Sequence, residues 1–348
     1  MGCRPALRLA PVASRSPSRG SLIWFGGRLA EGTLEHVTKR FANDVTILAV
    51  GDVGLDISLL VDRLPAPDEK VHAVTAELHS GGVITNFASA ASKLGSQVML
   101  CARVGRDLFG QLVLRDLGSS GIDLTCCRVS DAIRTCFTVS IVDSSGEKRL
   151  VVVPTGGLYP ELSQVPLSDG RQFAWCHTVP FDLERATAVA ELARSARVPF
   201  SIDLEPGSLH EIPDRTLVPL VRSADTVFLN RRATALLGAG ADEALARLHA
   251  AGVPNVVLTM GAQGAVLSEA AKTKRELAGA AVAVVDSTGA GDALAAAYVH
   301  RRIGGAGPLE AVRFGIAAGA LACRALGARA SQPDESEVLE LLASRAPR

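Results

Sequence analysis

Short apolar runs alternate with stretches of helical spacing along most of the chain. From Phe173 onward the alternation is regular. Phe173–His177, Phe200–Leu204, Thr226–Leu229 and Val256–Thr259 are apolar runs of strand length. Between them lie Leu183–Ala196, a stretch after Leu229 that stops near Gly238, and Asp242–Ala251, all with helical spacing. Upstream, Val45–Val50 and Val98–Ala102 read as buried strands. Helices are expected at about Thr85–Leu94 and Phe109–Leu117, with Asp107 placed to cap the second. Three helices close the chain, at Ala293–Arg301, Pro308–Arg324 and Glu335–Ser344. Strand–helix alternation of this kind predicts an α/β fold with a mainly parallel sheet covered on both faces.

Two stretches do not fit the alternation. Ile57–Val61 and Val71–Leu78 flank a turn containing Pro65, Pro67 and Asp68, and Thr135–Asp143 and Arg149–Val153 flank Ser144-Ser145-Gly146. Both read as antiparallel pairs. They are expected to form a small separate sheet, with lid strands from about 57–79 and 135–153, over the carboxyl ends of the central strands. Open α/β sheets bind ligands at that edge. A further hairpin is expected over about Ala265–Ala283.

The stretch richest in chemistry is Asp286-Ser287-Thr288-Gly289-Ala290-Gly291-Asp292. It follows the Val-rich run Ala280–Val285 and precedes an Ala-rich segment, so it reads as strand, tight loop and helix. Small residues at 289–291 let backbone N–H groups approach an anion, and the helix directs its positive end to the same place. An acid at the mouth of such a site, Asp292, is a poor choice for holding phosphate. It suits the removal of a proton from a hydroxyl that attacks the phosphate. The plainer alternative is a helix N-terminal acid favoured by the dipole.

Composition narrows the function. Formal net charge is zero over 348 residues, so a nucleic-acid surface has no electrostatic support. No apolar run is long enough for a membrane span. The seven cysteines form no C-x-x-C pair, which fits reduced thiols and a cytoplasmic setting. No Lys follows a Gly, so there is no Walker A motif, and Leu294 stands where a dinucleotide fingerprint needs glycine. In the first forty residues Arg4, Arg8, Arg15, Arg19 and Arg28 all precede the first acid, Glu31. This bias fits a disordered extension over 1–43, a start placed too early, or an organelle transit segment. The first is the expectation adopted, with a single domain over 44–348.

Two motifs together resemble the ribokinase/PfkB family of carbohydrate kinases: Gly81-Gly82 with Asn86, Gly95 and Gly105, and Asp286 to Val299. The order of elements between them also fits, over about residues 45–345. The resemblance implies a three-layer αβα ribokinase-like fold with a β-sheet lid often used for dimerisation, hence a homodimer through the lid. It implies transfer of the ATP γ-phosphoryl group to a hydroxymethyl group of a sugar, with Mg²⁺ as cofactor. Asp292 matches the family's catalytic base, and Gly289, Ala290 and Gly291 match its anion hole. Asn230, Thr259, Gly261, Gly264 and Gly291 match nucleotide contacts; Asp56, Gly82, Asn86 and Asp292 match sugar contacts. Asp286, Thr288, Ala322, Ala325, Gly327 and Ser331 match a site for a monovalent cation such as K⁺.

The chain departs from the pattern in places. Ala233 stands where the family commonly has a Glu that organises water around Mg²⁺. Ile84 replaces a small residue or Pro. Ribokinase has Lys and Asn where this chain has Val83 and Gly54. Asp203-Leu204-Glu205-Pro206 lacks the Asn and Arg of many sugar-kinase relatives, and His177-Thr178-Val179-Pro180 occupies the region of a substrate-facing Glu. These changes leave the sugar open. A nucleoside kinase and a catalytically weak sugar-binding relative remain as alternatives, although an aromatic content of 4% offers little to hold a base.

Overall fold

A computed structural model describes residues 47–144, 148–154, 159–167, 173–205, 212–238, 240–270, 272 and 274–344. The extension expected over 1–43, the start of the first strand at Val45 and the turn at 145–147 lie outside these residues. In chain order, β1 (Ile47–Val50), β2 (Gly54–Val61) and β3 (Ala73–Gly81) lead to α1 (Val83–Lys93). Then come β4 (Val98–Cys101), β5 (Arg103–Gly105), α2 (Leu108–Gly118), β6 (Arg128–Ser130), β7 (Cys136–Val142) and β8 (Lys148–Val153). The regular half follows with β9 (Trp175–Thr178), α3 (Leu183–Ser195), β10 (Phe200–Asp203), α4 (Asp214–Val221) and β11 (Thr226–Asn230). It continues with α5 (Ala241–Ala250), β12 (Asn255–Thr259), β13 (Ala265–Glu269) and β14 (Arg275–Leu277). The chain ends on α6 (Ala290–Ile303), α7 (Pro308–Leu321) and α8 (Glu335–Ala343).

The central sheet has the order β14-β13-β12-β11-β10-β9-β1-β4. From β4 across to β12 neighbouring strands are parallel; β13 and β14 complete the sheet antiparallel. Alternation along each buried strand divides the core in two. Leu48 and Val50 face one side with Ile202, Leu229 and Leu258, covered by α3, α4 and α5. Ile47 and Ala49 face the other with Phe228 and Val257, covered by α1, α2, α6 and α7. The result is the expected three-layer αβα architecture.

The second sheet, β3-β2-β7-β8, stands apart from the first. Its outer pairs are antiparallel as expected, while β2 and β7 pair in parallel at its centre, with Asp56 opposite Thr138.

Three local expectations are corrected. Ala280–Val285 is not a strand: the sheet stops at β14, so the hairpin expected to reach Ala283 is shorter, and Val284 and Val285 are more than 60% exposed. The N–H groups of Val285 and Asp286 donate to Cys323 O instead of to a sheet neighbour. The helix expected before Gly238 is a 3-10 turn, Ala233–Leu237. The helix α4 was not foreseen, because Pro219 lies inside it.

Candidate active site

The loop after Val285 turns into α6 through Gly289. Its backbone is left-handed, with φ 78°, and a Cβ there would lie 2.7 Å from Ala328 O, so glycine is required. The first N–H groups of α6 have no acceptors within the helix; that of Ala290 donates to Ser287 O at 3.3 Å. Asp292 sits in this first turn.

Asp292 does more than cap a dipole. Its Oδ2 accepts from Asn86 Nδ2 at 2.8 Å. Burial raises its pKa well above the usual carboxylate range; Asn86 opposes the rise, and Asp203, Glu205 and Asp52 add to it. The same cause acts on those neighbours. Burial lifts Asp203 to about 7 and Asp52 to about 6, and raises Glu205 as well. Four carboxyls thus share one buried field. Sequence reasoning singled out only Asp292 among them. Asp203 and Glu205 were readable by position, since both lie at the carboxyl end of a parallel strand.

Asn86 is carried on α1, and α1 starts where Asp52 caps it. The Asp52 carboxylate accepts from the N–H groups of Val83 at 3.1 Å and Ile84 at 3.2 Å. Gly82 is the N-cap, with φ 104°, and a Cβ there would lie 2.6 Å from Asp52 Oδ2. Asn86 itself is buried, and its Oδ1 has no partner among the described residues. Asp56, on β2, lies against Gly81. It shares a cleft with Ser58, Thr138 and Ser140 of the small sheet and with Asp286, Thr288 and Gly327 opposite.

At the end of β11, Asn230 Oδ1 accepts from the N–H groups of Arg232 and Ala233, both at 2.9 Å, while its Nδ2 donates to Glu205 Oε2 at 3.1 Å. Asn230 pairs in register with Thr259, which enters the turn between Gly261 and Gly264. Arg231 reaches across to Gln263 in that turn. Ala233 is fully buried.

The residues expected around a monovalent cation form two hydrogen-bonded groups. Asp286 Oδ1 accepts from Thr288 N at 3.0 Å and Thr288 Oγ1 at 2.6 Å, and Oδ2 accepts from Gly327 N at 2.9 Å. Ser331 Oγ donates to Ala322 O at 2.6 Å and accepts from Ala325 N at 3.1 Å.

Two other residues take the plainer role. His177 is buried, stacked on Phe87 at 3.9 Å and hydrogen-bonded through Nδ1 to Ser201, and burial pushes its pKa down to about 3. It is a neutral core histidine. Asp107 caps α2 by accepting from Gly110 N at 2.9 Å.

Comparison with known proteins gives consistent matches. Residues 45–335 match the family described as pfkB family carbohydrate kinase. Ribokinase of Arabidopsis thaliana is 28% identical over 312 residues, spanning 85% of this chain and 80% of the relative. The ATP-dependent ribose-1-phosphate kinase of Halopiger xanaduensis is 29% identical over 310 residues, spanning 86% of this chain and 99% of the relative. The solved structure of Arabidopsis thaliana ribokinase complexed with ribose and ATP has a TM-score of 0.75 at 27% identity, covering 85% of this chain and 98% of that one.

Proposed function

Because the chain belongs to the pfkB family of carbohydrate kinases, we propose that it moves the γ-phosphoryl group of ATP to a hydroxymethyl group of a sugar, with Asp292 as proton acceptor. The sugar oxygen attacks the γ-phosphorus, the bond to the β-phosphate bridging oxygen breaks, ADP leaves, and the hydroxyl proton passes to Asp292. The observation that carries this reading is the Asn86–Asp292 hydrogen bond at the start of α6. It sets an acceptor of raised proton affinity beside backbone N–H groups suited to phosphoryl oxygens. A positioned base of this kind contributes about 10²–10⁴-fold; Gly289, Ala290 and Gly291 supply the anion hole.

Asp56, Gly82 and Asn86 form the sugar side. The unpartnered Oδ1 of Asn86 suits a sugar hydroxyl, which can donate to it. Asn230, Thr259, Gly261 and Gly264 form the nucleotide side.

The residues present also fit magnesium. Glu205 places a carboxylate on Asn230, Asp203 lies near Glu205, and a hard cation favours oxygen donors. Among the described residues no three His, Cys, Asp or Glu side chains converge on one point, so the ion would ride on the nucleotide's phosphates and water. Glu205 and Asn230 would orient that water; bound Mg²⁺ would neutralise charge on the phosphates. A K⁺ ion would lie beside the anion hole, where Asp286 is linked to Thr288 and Gly327, and Ser331 to Ala322 and Ala325.

The partner proposed is a second copy of the chain at the small sheet. Val74 and Leu78 on β3 and Val151 on β8 are exposed apolar residues of its edge strands. We assign the enzyme to the cytoplasm, a compartment that keeps thiols reduced, because Cys101, Cys126, Cys127, Cys136, Cys176 and Cys323 are free. Incubation with ATP, Mg²⁺ and a panel of sugars, sugar phosphates and nucleosides, followed by detection of the phosphorylated product, tests the reading and names the substrate.

A further inference from the structure

Arg329 lies in the loop between α7 and α8, and its guanidinium is engaged on every side. Nε donates to Ser89 Oγ at 3.0 Å, Nη2 to Ser120 Oγ at 2.7 Å, and Nη1 to Asp116 Oδ2 at 2.5 Å and to the Ser80 hydroxyl and carbonyl. Asp116 in turn accepts from the N–H and hydroxyl of Ser80. The Arg329 side chain is 13% exposed, so this is a largely buried clamp rather than a surface pair.

Its place in the fold gives the clamp a meaning. Ser80 is the penultimate residue of β3, immediately before Gly81 and Gly82, and Ser89 is one helical turn beyond Asn86 on α1. Three residues after Arg329, Gln332 Nε2 donates to the Asn86 carbonyl at 2.9 Å. The loop's other flank holds the phosphoryl side: Gly327 N donates to Asp286 Oδ2, and Ala328 packs on Gly289. One short loop therefore grips both elements whose separation fixes the distance from Asn86 to Asp292.

We propose that Arg329 is a positioning residue that sets the sugar-binding elements, Ser80–Gly82 and the first turns of α1, against Asp292 and the anion hole. This rests on the sugar-kinase reading above. It predicts a loss confined to the sugar and to turnover, because the hydrogen bonds of the clamp run to Ser80, Ser89, Asp116 and Ser120 and not to the loop at 259–264. Lysine cannot reproduce it, since a single ammonium lacks the planar fork that reaches Ser89, Asp116 and Ser120 together. Misplacement by about 1 Å costs up to roughly 10²-fold in rate.

The test compares wild type with Arg329→Gln, Arg329→Lys and the milder Ser89→Ala on the sugar identified by the panel. Sugar kcat/KM is expected to fall about 10–100-fold in both Arg329 variants and a few-fold in Ser89→Ala, with KM for ATP within about twofold of wild type. Hydrogen exchange on the same full-length proteins should show faster exchange at residues 83–89 and at 286–292 in Arg329→Gln. Wild-type kinetics in the soluble variants would overturn the proposal. So would parallel losses for sugar and ATP with a collapsed Tm, or unchanged exchange in both segments. A wild type inactive on every sugar would instead sink the kinase reading, and the exchange result would still decide the role of Arg329.

Discussion

Asn86 Nδ2 donates to Asp292 Oδ2 at 2.8 Å, across 206 positions of sequence. This one bond joins the two glycine motifs and opposes the burial that raises Asp292. Asn86→Ala removes the donor, so Asp292 should bind its proton more tightly still. The base must be ionised to act. The acidic limb of the kcat/KM profile should therefore move to higher pH, with activity at neutral pH down about 10–100-fold. A pH–rate profile of the two proteins checks this; an unshifted limb would sever the link between Asn86 and Asp292.

Asp203 is buried at the end of β10 with its pKa lifted to about 7 from 3.8, by burial first and Glu205 second. A carboxyl whose folded-state pKa is raised stabilises the fold at low pH, and that advantage is lost as pH rises through the folded value. The penalty should be absent below about pH 4, grow to about pH 7 and be complete above it. Asp203→Asn should then raise Tm by several degrees at pH 8 and leave it nearly unchanged at pH 4. Thermal melts across that range in the absence of ligand measure the difference.

Glu205 adds negative charge to the field around Asp292 and holds the Asn230 amide. Glu205→Gln should raise the Mg²⁺ concentration for half-maximal activity several-fold and move the acidic limb to lower pH, since it relieves part of the repulsion on Asp292. Magnesium titration at fixed ATP, repeated as nucleotide binding without sugar, reads the first effect. Ala233→Glu is a poorer probe of the same question because position 233 is fully buried.

Gly289 has φ 78° and no room for a Cβ beside Ala328 O. Gly289→Ala should cost roughly 1–3 kcal/mol of stability and displace the N–H groups proposed to receive the phosphoryl oxygens. Denaturant unfolding together with kcat at saturating ATP and sugar would show both losses. Full activity in this variant would remove the loop from the chemistry.

Much of this arrangement was legible in the sequence because it rests on local pattern. The alternation after Phe173 predicts the parallel strands, and the turn residues near Asp68 and Ser144 predict the small sheet. The key glycines of the two motifs, Gly82 and Gly289, fall at helix N-caps. What pattern could not supply was competition between partners. Ala280–Val285 has strand propensity, but its backbone turns toward Cys323 and the sheet ends without it. His177 stands at a strand end yet turns inward onto Phe87 and Ser201. The shared field of Asp52, Asp203, Glu205 and Asp292, and the Arg329 clamp, join segments far apart in the chain. Strand-end position marks Asp203 and Glu205, but no local signal joins them to Asp52 and Asp292 or joins Arg329 to its partners.

The central claim is that Asp292 accepts the proton of the attacking hydroxyl. Steady-state phosphorylation by wild type and Asp292→Asn, with sugar and nucleotide binding measured on both, tests it most directly. The account predicts that wild type phosphorylates at least one sugar, and that Asp292→Asn loses about 10²–10⁴-fold in kcat while still binding both ligands. Wild-type turnover in Asp292→Asn, or equal inactivity of both proteins on every substrate while a sugar still binds, would contradict it.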